Sequence, residues 1–547
     1  MKIVECVPNF SEGKDLNIIK AITQVIEETE GVTLLDVDPG ADTNRTVVTF
    51  VGEPEAVKEG AFRAIKRASE LIDMRKHKGA HPRMGATDVC PFVPVSGITM
   101  EECARLAHEL GKRVGEELGI PVYMYEYAAT SEERRSLANI RVGEYEGLPE
   151  KLKDPNWKPD YGPCEFNAKA GATVIGAREF LIAYNVNLNT RDRKLAHKIA
   201  KTIREKGYKK KDEHGNKIQV PGTLKAVRAV GWYIDEYGFA QVSMNLVNYK
   251  ITPPHVAFEE CRRVANELGL RVLGSELVGL IPKEPMLMAG RYYLEKQGKC
   301  PGVPEEELIH IAVLSMGLDQ LGPFNPSEKI IEYRLEDKGS KLVYMTVRGF
   351  ANELSTDSPA PGGGSVAALC GALSASLSSM VANLTVGKKK YEDVRDEMKD
   401  VALKAQTLKD EFLALIDKDT DAFNAVMSAM RMKKKTEEEK AARESAIQEA
   451  TKQATLVPLE VLRKTKDVLE LAEVVAERGN QSSVSDAGVS AIMAESAAES
   501  AFYNVRINLP GITDEGFNNK VLKEAEEILK EVREKASSIK GGVEEKI

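Results

Sequence analysis

The spacing of apolar residues changes near residue 335, and this change limits the folds open to the chain. Before it, short runs rich in Val, Ile and Thr alternate with amphipathic stretches of helical period. After it, the helical period continues almost to the end of the chain, with Ala-rich runs and few runs of strand character. Strands that alternate with helices predict α/β layers, whereas continuous helical periodicity predicts an all-α domain. We therefore expect several domains of two fold classes in one chain.

The α/β part divides into two stretches with a similar order of elements. Residues 1–180 contain strand-like runs separated by amphipathic helices, and residues 181–333 repeat this pattern with a hairpin signal between two strands. We expect two α/β sandwich subdomains with a ferredoxin-like βαβ order and a cleft between them. The polar segment 334–340 predicts a linker, and residues 341–547 predict a helical domain of five or more helices. The charged stretch 209–214 is expected to be an inserted surface loop.

Composition and charge exclude several classes of protein. The 76 basic and 84 acidic residues give a net charge of −8, and 42% of the residues are hydrophobic. This balance is typical of a soluble globular protein and argues against a dedicated nucleic-acid binder. The seven cysteines form no C-x-x-C pair, which disfavours a disulfide framework and a thiolate metal site and favours a reducing compartment. Because Glu5 and Pro8 interrupt the first apolar residues, we read no signal peptide and expect a cytoplasmic protein.

Residues 358–387 carry no charge, and this segment is long enough to cross a bilayer. It contains one helical stripe of larger apolar residues and a second stripe of Ala, Gly and Ser. Such a helix can pack closely against neighbours on both sides. We therefore expect a buried helix of a soluble domain and no membrane span.

The densest polar cluster of the first half is the loop 75–88, which contains His77, His81 and Arg83. Histidine suits proton transfer near neutral pH, and the flanking Lys and Arg residues suit anionic ligands such as carboxylates. The two histidines have the spacing of a metal pair on a helix, but the Gly and Pro within the loop break such a helix. The alternative is a solvated basic loop without a functional role.

Two turns supply further candidates. Residues 36–40 end an apolar strand with two Asp residues, Pro and Gly, and residues 9–13 precede the first helix. Acidic residues at strand ends border clefts and are well placed for catalysis, but Asp and Gly equally serve the backbone of a turn. Residues 9–13 predict either a helix cap or a loop that contacts a ligand.

The helical half has two features of its own. The sequence Gly362, Gly363, Gly364 and Ser365 opens the uncharged helix, and glycines at a helix N-terminus let a ligand approach backbone N–H groups. The segment matches neither a P-loop nor a dinucleotide fingerprint, and the end of a flexible linker would look similar. Asp419 lies on an apolar helical stripe, where burial raises the pKa of a carboxyl group and suits it to acid–base work. A structural Asp in the core is the alternative, and the surrounding residues do not match a calcium loop.

With these residues in view, the chain resembles the bifunctional formimidoyltransferase–cyclodeaminase family of folate-linked histidine breakdown. The resemblance runs nearly end to end and lies in residues 4–13, 34–38, 43–46, 75–84, 330–333 and 361–365. It implies transfer of the formimidoyl group from N-formimidoyl-L-glutamate to N5 of tetrahydrofolate. It further implies cyclisation of 5-formimidoyl-tetrahydrofolate to 5,10-methenyl-tetrahydrofolate with release of ammonia. Tetrahydrofolate, as its polyglutamate, is then a co-substrate, no metal is needed, and a homo-oligomer is expected.

The resemblance also implies roles for individual residues. The catalytic His of the family matches His81, and its catalytic Asp matches Asp419. We expect Arg83 to contact a substrate carboxylate, and Asn9 and Asp38 to orient the amidine. In the second site, Gly362–Ser365 would contact the folate. The folate-binding segment of the family matches Gly162, Pro163, Cys164, Glu165, Phe166, Asn167, Ala168, Lys169, Ala170 and Gly171.

Two other functions stay open. Helical relatives of the family include a methenyl-tetrahydrofolate cyclohydrolase, so the second domain could chiefly open a ring with water. The chain could also be a non-catalytic folate-binding scaffold, although the presence of His81 and Asp419 argues against that. The small-residue stripe of 358–387 could form a helical dimer interface. Fusion of two consecutive steps favours passage of the intermediate between the sites.

Overall fold

The structure is a computed structural model that describes residues 2–41, 44–79, 82–211, 213, 216–335, 341–358 and 360–547. The chain forms two compact units. The first, called the α/β unit below, comprises Met1–Pro285 and Gly317–Leu335, and the second, called the helical unit, comprises Met286–Met316 and Glu336–Ile547. Of the expected linker, residues 334 and 335 end the helix Ile331–Leu335, and residues 336–340 lie outside the described part of the chain.

The first sheet of the α/β unit has seven strands. They are β1 (Ile3–Cys6), β2 (Asn9–Phe10), β3 (Val32–Gly40), β4 (Arg45–Gly52), β5 (Thr87–Ser96), β6 (Val122–Glu126) and β7 (Thr173–Ala177). β1 and β2 both pair with β4 on one side and with β5 on the other, so they act as one interrupted strand. β3 pairs with the far side of β4, and β7 runs parallel to both β5 and β6.

Helices cover the two faces of this sheet unequally. On the first face lie α1 (Leu16–Glu27), α2 (Pro54–Leu71) and α3 (Met100–Leu118), whose apolar sides pack on strand residues such as Cys6, Phe50 and Phe92. α3 begins with a reciprocal capping box between Thr99 and Glu102. On the second face, the short helices α4 (Leu137–Ile140) and α5 (Glu144–Lys151) pack on a smaller set of strand residues, such as Tyr123 and Val174.

The second sheet has four antiparallel strands in the order β11–β12–β8–β13. The elements of this part are β8 (Ile182–Leu188), α6 (Arg193–Ile203), β9 (Tyr208–Lys211), β10 (Lys217–Val220), β11 (Val227–Ile234), β12 (Phe239–Leu246), α7 (Pro254–Glu267) and β13 (Val272–Val278). α6 and α7 both contact this sheet. The charged stretch 209–214 is not simply a loop: its first three residues belong to β9, which pairs with β10 in an exposed hairpin.

The described residues of the helical unit form helices joined by turns. They are α8 (Lys283–Lys296), α9 (Glu305–Met316), α12 (Val347–Leu354), α13 (Gly363–Val386), α14 (Arg395–Met430), α15 (Glu437–Arg478), α16 (Val484–Asn508) and α17 (Glu515–Glu544). The short helices α10 (Pro326–Lys329) and α11 (Ile331–Leu335), which lie between α9 and α12 in the chain, belong to the α/β unit. α13 contacts α14, α15 and α16. The turn after α8 also packs here, because Asn383 donates to the carbonyl of Gly302 at 2.7 Å. The sequence placed residues 286–316 with the second α/β stretch and gave no sign of this packing.

The buried side of α13 is the one that carries its small residues, and the side that carries its larger apolar residues is exposed. Its small residues, such as Ala368, Ala372 and Ala375, are buried against neighbouring helices, whereas Leu373 and Leu384 are each 46% exposed. Small side chains allow the neighbouring backbones to come close, and the larger apolar stripe then faces outward. Among the described residues, α13 alone is long and apolar enough to pass as a membrane span, yet 61% of that stretch is buried within the protein.

Candidate functional site

The predicted catalytic loop joins several other segments at the second face of the first sheet. The hydroxyl of Ser11 donates to the carbonyl of Gly85 at 2.7 Å, and the side-chain amide of Asn44 donates to the carbonyl of Lys78 at 3.0 Å. The backbone N–H of Tyr145 donates to the carbonyl of Arg83 at 2.9 Å. The loop 75–88 is thereby tied to residues 9–13, to the start of β4 and to α5.

His81 lies outside the described residues, so its predicted role stays a prediction. The neighbouring His77 is buried, with its Nε2 atom 2.8 Å from the carbonyl oxygen of Asn44. Its Nδ1 atom accepts a hydrogen bond from Nε of Arg83 at 3.2 Å. A neutral imidazole with its proton on Nε2 satisfies both contacts. His77 therefore links Arg83 of the loop to the backbone of Asn44 before β4.

Arg83 is held by two carboxylates of α5. Its guanidinium donates to both oxygens of Glu146, at 2.9 and 2.7 Å, and to Glu144 at 3.1 Å. The hydrogen bond to Glu146 raises the pKa of Arg83, and Glu144 adds to this effect while burial opposes it. The guanidinium of Arg83, which was expected to bind a substrate carboxylate, is thus paired with carboxylates of the protein itself.

Asn9 and Asp38 lie in one row across the sheet. Asn9 of β2 and Asp38 of β3 are both register partners of Val47 in β4. Since strands lie about 4.8 Å apart, the two backbones are about 10 Å apart, and side chains in one row point to the same face. Asn9 is buried, accepts a hydrogen bond from Arg45 and donates to the carbonyl of Val7, whereas Asp38 is exposed.

The predicted folate segment is a loop between Tyr161 and β7. Its first part is open, with Cys164, Glu165 and Phe166 exposed. Its second part is fixed to the catalytic loop, because Ala170 accepts a hydrogen bond from the N–H of Ala86 at 2.8 Å. Gly171 has φ +71, and a Cβ there would lie 2.2 Å from the carbonyl oxygen of Met84, so only glycine allows this approach. The structure brings the two predicted segments together.

The remaining positions of this segment have local roles. The carbonyl of Ala168 accepts a hydrogen bond from the hydroxyl of Tyr145 at 2.5 Å, and Lys169 donates to the carbonyl of Glu70 at 2.7 Å. The side chain of Asn167 accepts from the N–H of Ala170 at 2.9 Å and so forms a tight turn. Gly162, at φ +80, begins the loop, and Pro163 follows it.

The sequence reasoning missed an ionic cluster beside Asn9. Asp88 of β5 is fully buried, forms an ion pair with Arg141 at the end of α4 and accepts the N–H of Met84 at 3.0 Å. Burial lowers the pKa of Arg45, with Asp88 acting against this and Arg141 with it. Both Arg45 and Asp88 are charged residues at the start of an apolar strand, and this position was the one sequence signal that could have pointed to the cluster.

In the helical unit, Asp419 of α14 lies against the first turn of α13. Its Oδ2 atom accepts a hydrogen bond from the hydroxyl of Ser365 at 3.0 Å. A Cβ on Gly364 would lie 2.1 Å from Oδ1 of Asp419, so the carboxylate touches the helix backbone there. Burial raises the pKa of Asp419, and hydrogen bonds from the side chain and backbone of Ser365 oppose the rise. A half-buried carboxyl group at a helix N-terminus has the environment expected of an acid or base.

The other glycines of this turn and the neighbouring helices complete the second site. Gly362 precedes α13, and Gly363 faces the side chain of Asn504 in α16, whose Nδ2 atom would lie 3.1 Å from a Cβ at that position. The sequence gave no reason to place Asn504 here. Asp417, by contrast, accepts the N–H of Leu342 at 2.7 Å and holds the segment before α12. The described residues contain no group of three or more His, Cys, Asp or Glu side chains that could hold a metal ion.

Comparison with known proteins decides the family. Three family models match in succession: the formiminotransferase domain, N-terminal subdomain, over residues 3–178, the formiminotransferase domain over residues 183–336, and formiminotransferase-cyclodeaminase over residues 346–527. A formimidoyltransferase-cyclodeaminase of Gallus gallus is 48% identical over 537 residues, which is 97% of each chain. The chain belongs to the formimidoyltransferase-cyclodeaminase family.

Relatives with a single function match the two parts of this family member separately. A glutamate formimidoyltransferase of Streptococcus pyogenes is 45% identical over 294 residues, which is 54% of this chain and 94% of that protein. A methenyltetrahydrofolate cyclohydrolase of Methylorubrum extorquens is 46% identical over 186 residues, which is 34% of this chain and 89% of that protein. The resemblance drawn from the sequence is confirmed.

Proposed function

We propose that the chain is a bifunctional folate enzyme. It transfers the formimidoyl group from N-formimidoyl-L-glutamate to N5 of tetrahydrofolate, which releases L-glutamate. It then closes 5-formimidoyl-tetrahydrofolate to 5,10-methenyl-tetrahydrofolate with loss of ammonia. The observation that carries this proposal is the match to formimidoyltransferase-cyclodeaminases over nearly the whole chain.

In the first step, N5 of tetrahydrofolate attacks the amidine carbon and forms a tetrahedral intermediate. One group must take the N5 proton, and one must protonate the departing amine of glutamate. We assign both transfers to His81, Asn9 and Asp38 to the amidine, and the loop Gly162–Gly171 to the folate. We assign Arg83 to holding the catalytic loop, in place of the expected substrate contact, because two glutamates already occupy its guanidinium.

In the second step, N10 attacks the formimidoyl carbon and the amino group departs as ammonia. Asp419 moves a proton in this step, and Ser365 orients its carboxylate. Gly362 and Gly363, which are half-buried and exposed, open α13 beside the carboxylate, where the folate would lie. The raised pKa of Asp419 supports an exchange of protons rather than a permanent negative charge.

Two substitutions separate the steps. His81→Ala is expected to abolish glutamate release but to cyclise 5-formimidoyl-tetrahydrofolate supplied from outside. Asp419→Ala is expected to release glutamate and to accumulate 5-formimidoyl-tetrahydrofolate. A folded variant that loses both steps, or that loses neither step, would contradict the assignment. Lys14→Ala on the exposed surface serves as the control.

A second candidate activity concerns the helical unit alone. Its match to a methenyltetrahydrofolate cyclohydrolase supports hydrolysis of 5,10-methenyl-tetrahydrofolate as the alternative to cyclisation. Ammonia distinguishes the two activities, since the cyclohydrolase reaction neither forms nor consumes it. Wild-type protein that opens the methenyl compound but releases no ammonia from 5-formimidoyl-tetrahydrofolate would favour this candidate.

We further infer that the chain works as a homo-oligomer in a reducing, cytoplasmic compartment. The small-residue stripe of α13, which was expected to form a dimer interface, is buried within the chain. The outward stripe of α13 and neighbouring residues of α16, including Val489 and Ile492, expose large apolar side chains instead, which supports a helical dimer interface on that side. All seven cysteines are free thiols. Light scattering of Leu373→Glu and Leu384→Glu tests the interface, because a smaller assembly than that of the wild type is expected.

The second subdomain supports the ferredoxin-like order that was expected. Apart from the hairpin β9–β10, its elements follow one another as β8–α6–β11–β12–α7–β13.

A further inference from the structure

Asn504 of α16 lies at the start of α13, beside the residue that contacts Asp419. A Cβ on Gly363 would lie 3.1 Å from Nδ2 and 3.5 Å from Oδ1 of Asn504. The next residue, Gly364, leaves the same kind of space for the carboxylate of Asp419. α14 and α16 both contact α13. The amide of Asn504 and the carboxylate of Asp419 therefore approach two consecutive residues of one helical turn.

The side chain of Asn504 has an unused acceptor. Its Nδ2 atom donates to the carbonyl of Ser500 at 2.7 Å. This contact fixes the orientation of the amide, because a carbonyl oxygen can accept a hydrogen bond only from the nitrogen end. In the part of the chain that the structure describes, no group donates to Oδ1 of Asn504. An amide oxygen can accept two hydrogen bonds, so Oδ1 is available to a ligand.

The same side chain borders open space. Asn504 lines a groove of about 510 Å³ together with Tyr503, Arg506 and Ile507, and this volume is within the range of small-molecule sites. Asn504 itself is half-buried, whereas Tyr503 and Ile507 are largely exposed. A ligand in the groove can therefore reach the amide of Asn504 at the point where it meets the first turn of α13.

The group that leaves in the proposed second step offers only hydrogen-bond donors. The protonated formimidoyl group is an amidinium, whose terminal nitrogen carries two N–H bonds and has no lone pair for accepting. N10 forms a bond to the formimidoyl carbon, one proton passes from N10 to the terminal nitrogen, and the bond between that nitrogen and the carbon breaks. Ammonia leaves, and the positive charge remains on 5,10-methenyl-tetrahydrofolate. Asp419 can carry the proton, whereas an amide oxygen holds an N–H group without taking its proton at neutral pH.

We infer that Oδ1 of Asn504 accepts a hydrogen bond from the formimidoyl nitrogen that departs as ammonia. Asp419 of α14 and Asn504 of α16 then receive the donors of the substrate from two helices, at one turn of α13. The inference rests on the proposed function. It adds a residue that distinguishes a nitrogen from an oxygen on the carbon that is attacked.

Asn504→Leu tests this role, because leucine has a similar volume but no acceptor. The lost hydrogen bond to Ser500 lies within a single turn of α16, so the variant is expected to fold, and circular dichroism checks this. Asn519→Leu is the matched control, since it makes the same chemical change at an exposed residue of α17.

The assay uses the full-length protein and measures ammonia release from supplied 5-formimidoyl-tetrahydrofolate. It also gives the inhibition constant of 5-formyl-tetrahydrofolate, which carries an oxygen in place of the nitrogen and donates no hydrogen bond from it. Asn504→Leu is expected to lower kcat/KM about 10- to 100-fold, the range of one hydrogen bond to a charged group. The inhibition constant is expected not to rise, and glutamate release from N-formimidoyl-L-glutamate is expected to be unchanged.

An unchanged kcat/KM in folded Asn504→Leu would overturn the inference. A rise in the inhibition constant as large as the fall in kcat/KM would also overturn it, because Asn504 would then shape the site for any folate. A wild type that releases no ammonia from 5-formimidoyl-tetrahydrofolate would instead contradict the proposed cyclodeaminase function, and the inference with it. Each of the first two results leaves that function intact.

Discussion

A methyl group at Gly364 should disable the second site alone. The Cβ atom of an alanine there would lie 2.1 Å from Oδ1, 2.5 Å from Cγ and 2.6 Å from Oδ2 of Asp419, whereas ordinary contact begins at 3.4 Å. The carboxylate must therefore retreat by about 1 Å or more. All three clashing atoms belong to one side chain, so rotation of Asp419 away from α13 relieves them.

The cost of this movement falls mainly on catalysis. The free energy of unfolding falls by about 1.5–3 kcal/mol, because the hydrogen bond from Ser365 to the charged acceptor Asp419 is lost. It rises again by up to about 1 kcal/mol, because alanine favours a helix more than glycine does. A net loss of about 0.5–3 kcal/mol leaves a domain of this size folded. A displacement of about 1 Å in a reacting group costs roughly 100-fold in rate. We expect Gly364→Ala to lower cyclodeaminase kcat about 100-fold and to leave glutamate release unchanged.

The assay supplies 5-formimidoyl-tetrahydrofolate and follows the absorbance of 5,10-methenyl-tetrahydrofolate together with ammonia. Glutamate release from N-formimidoyl-L-glutamate is measured in parallel, and circular dichroism confirms the helical content. Gly387→Ala at the other end of α13 is the matched control, since a Cβ there meets nothing within 4 Å. Normal cyclodeaminase activity in folded Gly364→Ala would refute the contact between Asp419 and α13 as the basis of the second site.

Three further predictions follow from buried or paired carboxylates. Burial, opposed by Arg178, raises the pKa of Glu5 to about 7, so the folded state keeps this proton between pH 4.5 and 7 while the unfolded state loses it. Stability should fall by up to about 3 kcal/mol as the pH rises through this window, and urea unfolding of Glu5→Gln at pH 5 and pH 8 should show a smaller fall than the wild type. Glu146→Gln removes a carboxylate that is paired with Arg83. Because Glu146 is largely exposed, we expect only about a five-fold loss of transferase kcat, which corresponds to about 1 kcal/mol. An unchanged kcat would contradict the role of Glu146 in positioning Arg83. Asp417→Ala removes the acceptor for the N–H of Leu342 and should lower the melting temperature without changing cyclodeaminase kcat, whereas a selective loss of kcat would place Asp417 in the site.

Local periodicity predicted the helices of residues 341–547, because each helix repeats its apolar face within a few residues, but it did not place residues 286–316 with them. It also singled out Asp419, since a carboxyl group on an apolar stripe is unusual over a short distance in the sequence. It could not decide which stripe of α13 faces inward, because both stripes are apolar or small. Only the neighbouring helices, which come from residues far along the chain, settle that Ala368 and Ala372 are inside and Leu373 is outside.

The contacts of the first site depend on the pairing of segments that lie far apart in the chain, so they were harder to predict from the sequence. Arg45 meets Asn9 through the register between β4 and β2, and Asp88 meets Arg141 across 53 residues. Glu146, which occupies Arg83, lies 63 residues after it. Sequence reasoning selected the loop and its polar residues as candidates and assigned Arg83 to a substrate carboxylate, since no local pattern indicates which charges become partners. The strand pairing supplies that information.

The most direct test of the bifunctional assignment is the stoichiometry of the purified wild-type protein. Supplied with N-formimidoyl-L-glutamate and tetrahydrofolate, it is expected to yield one L-glutamate, one ammonia and one 5,10-methenyl-tetrahydrofolate for each donor consumed. Glutamate without ammonia would show that only the first step occurs here. No product from folded protein that binds tetrahydrofolate would contradict the account as a whole.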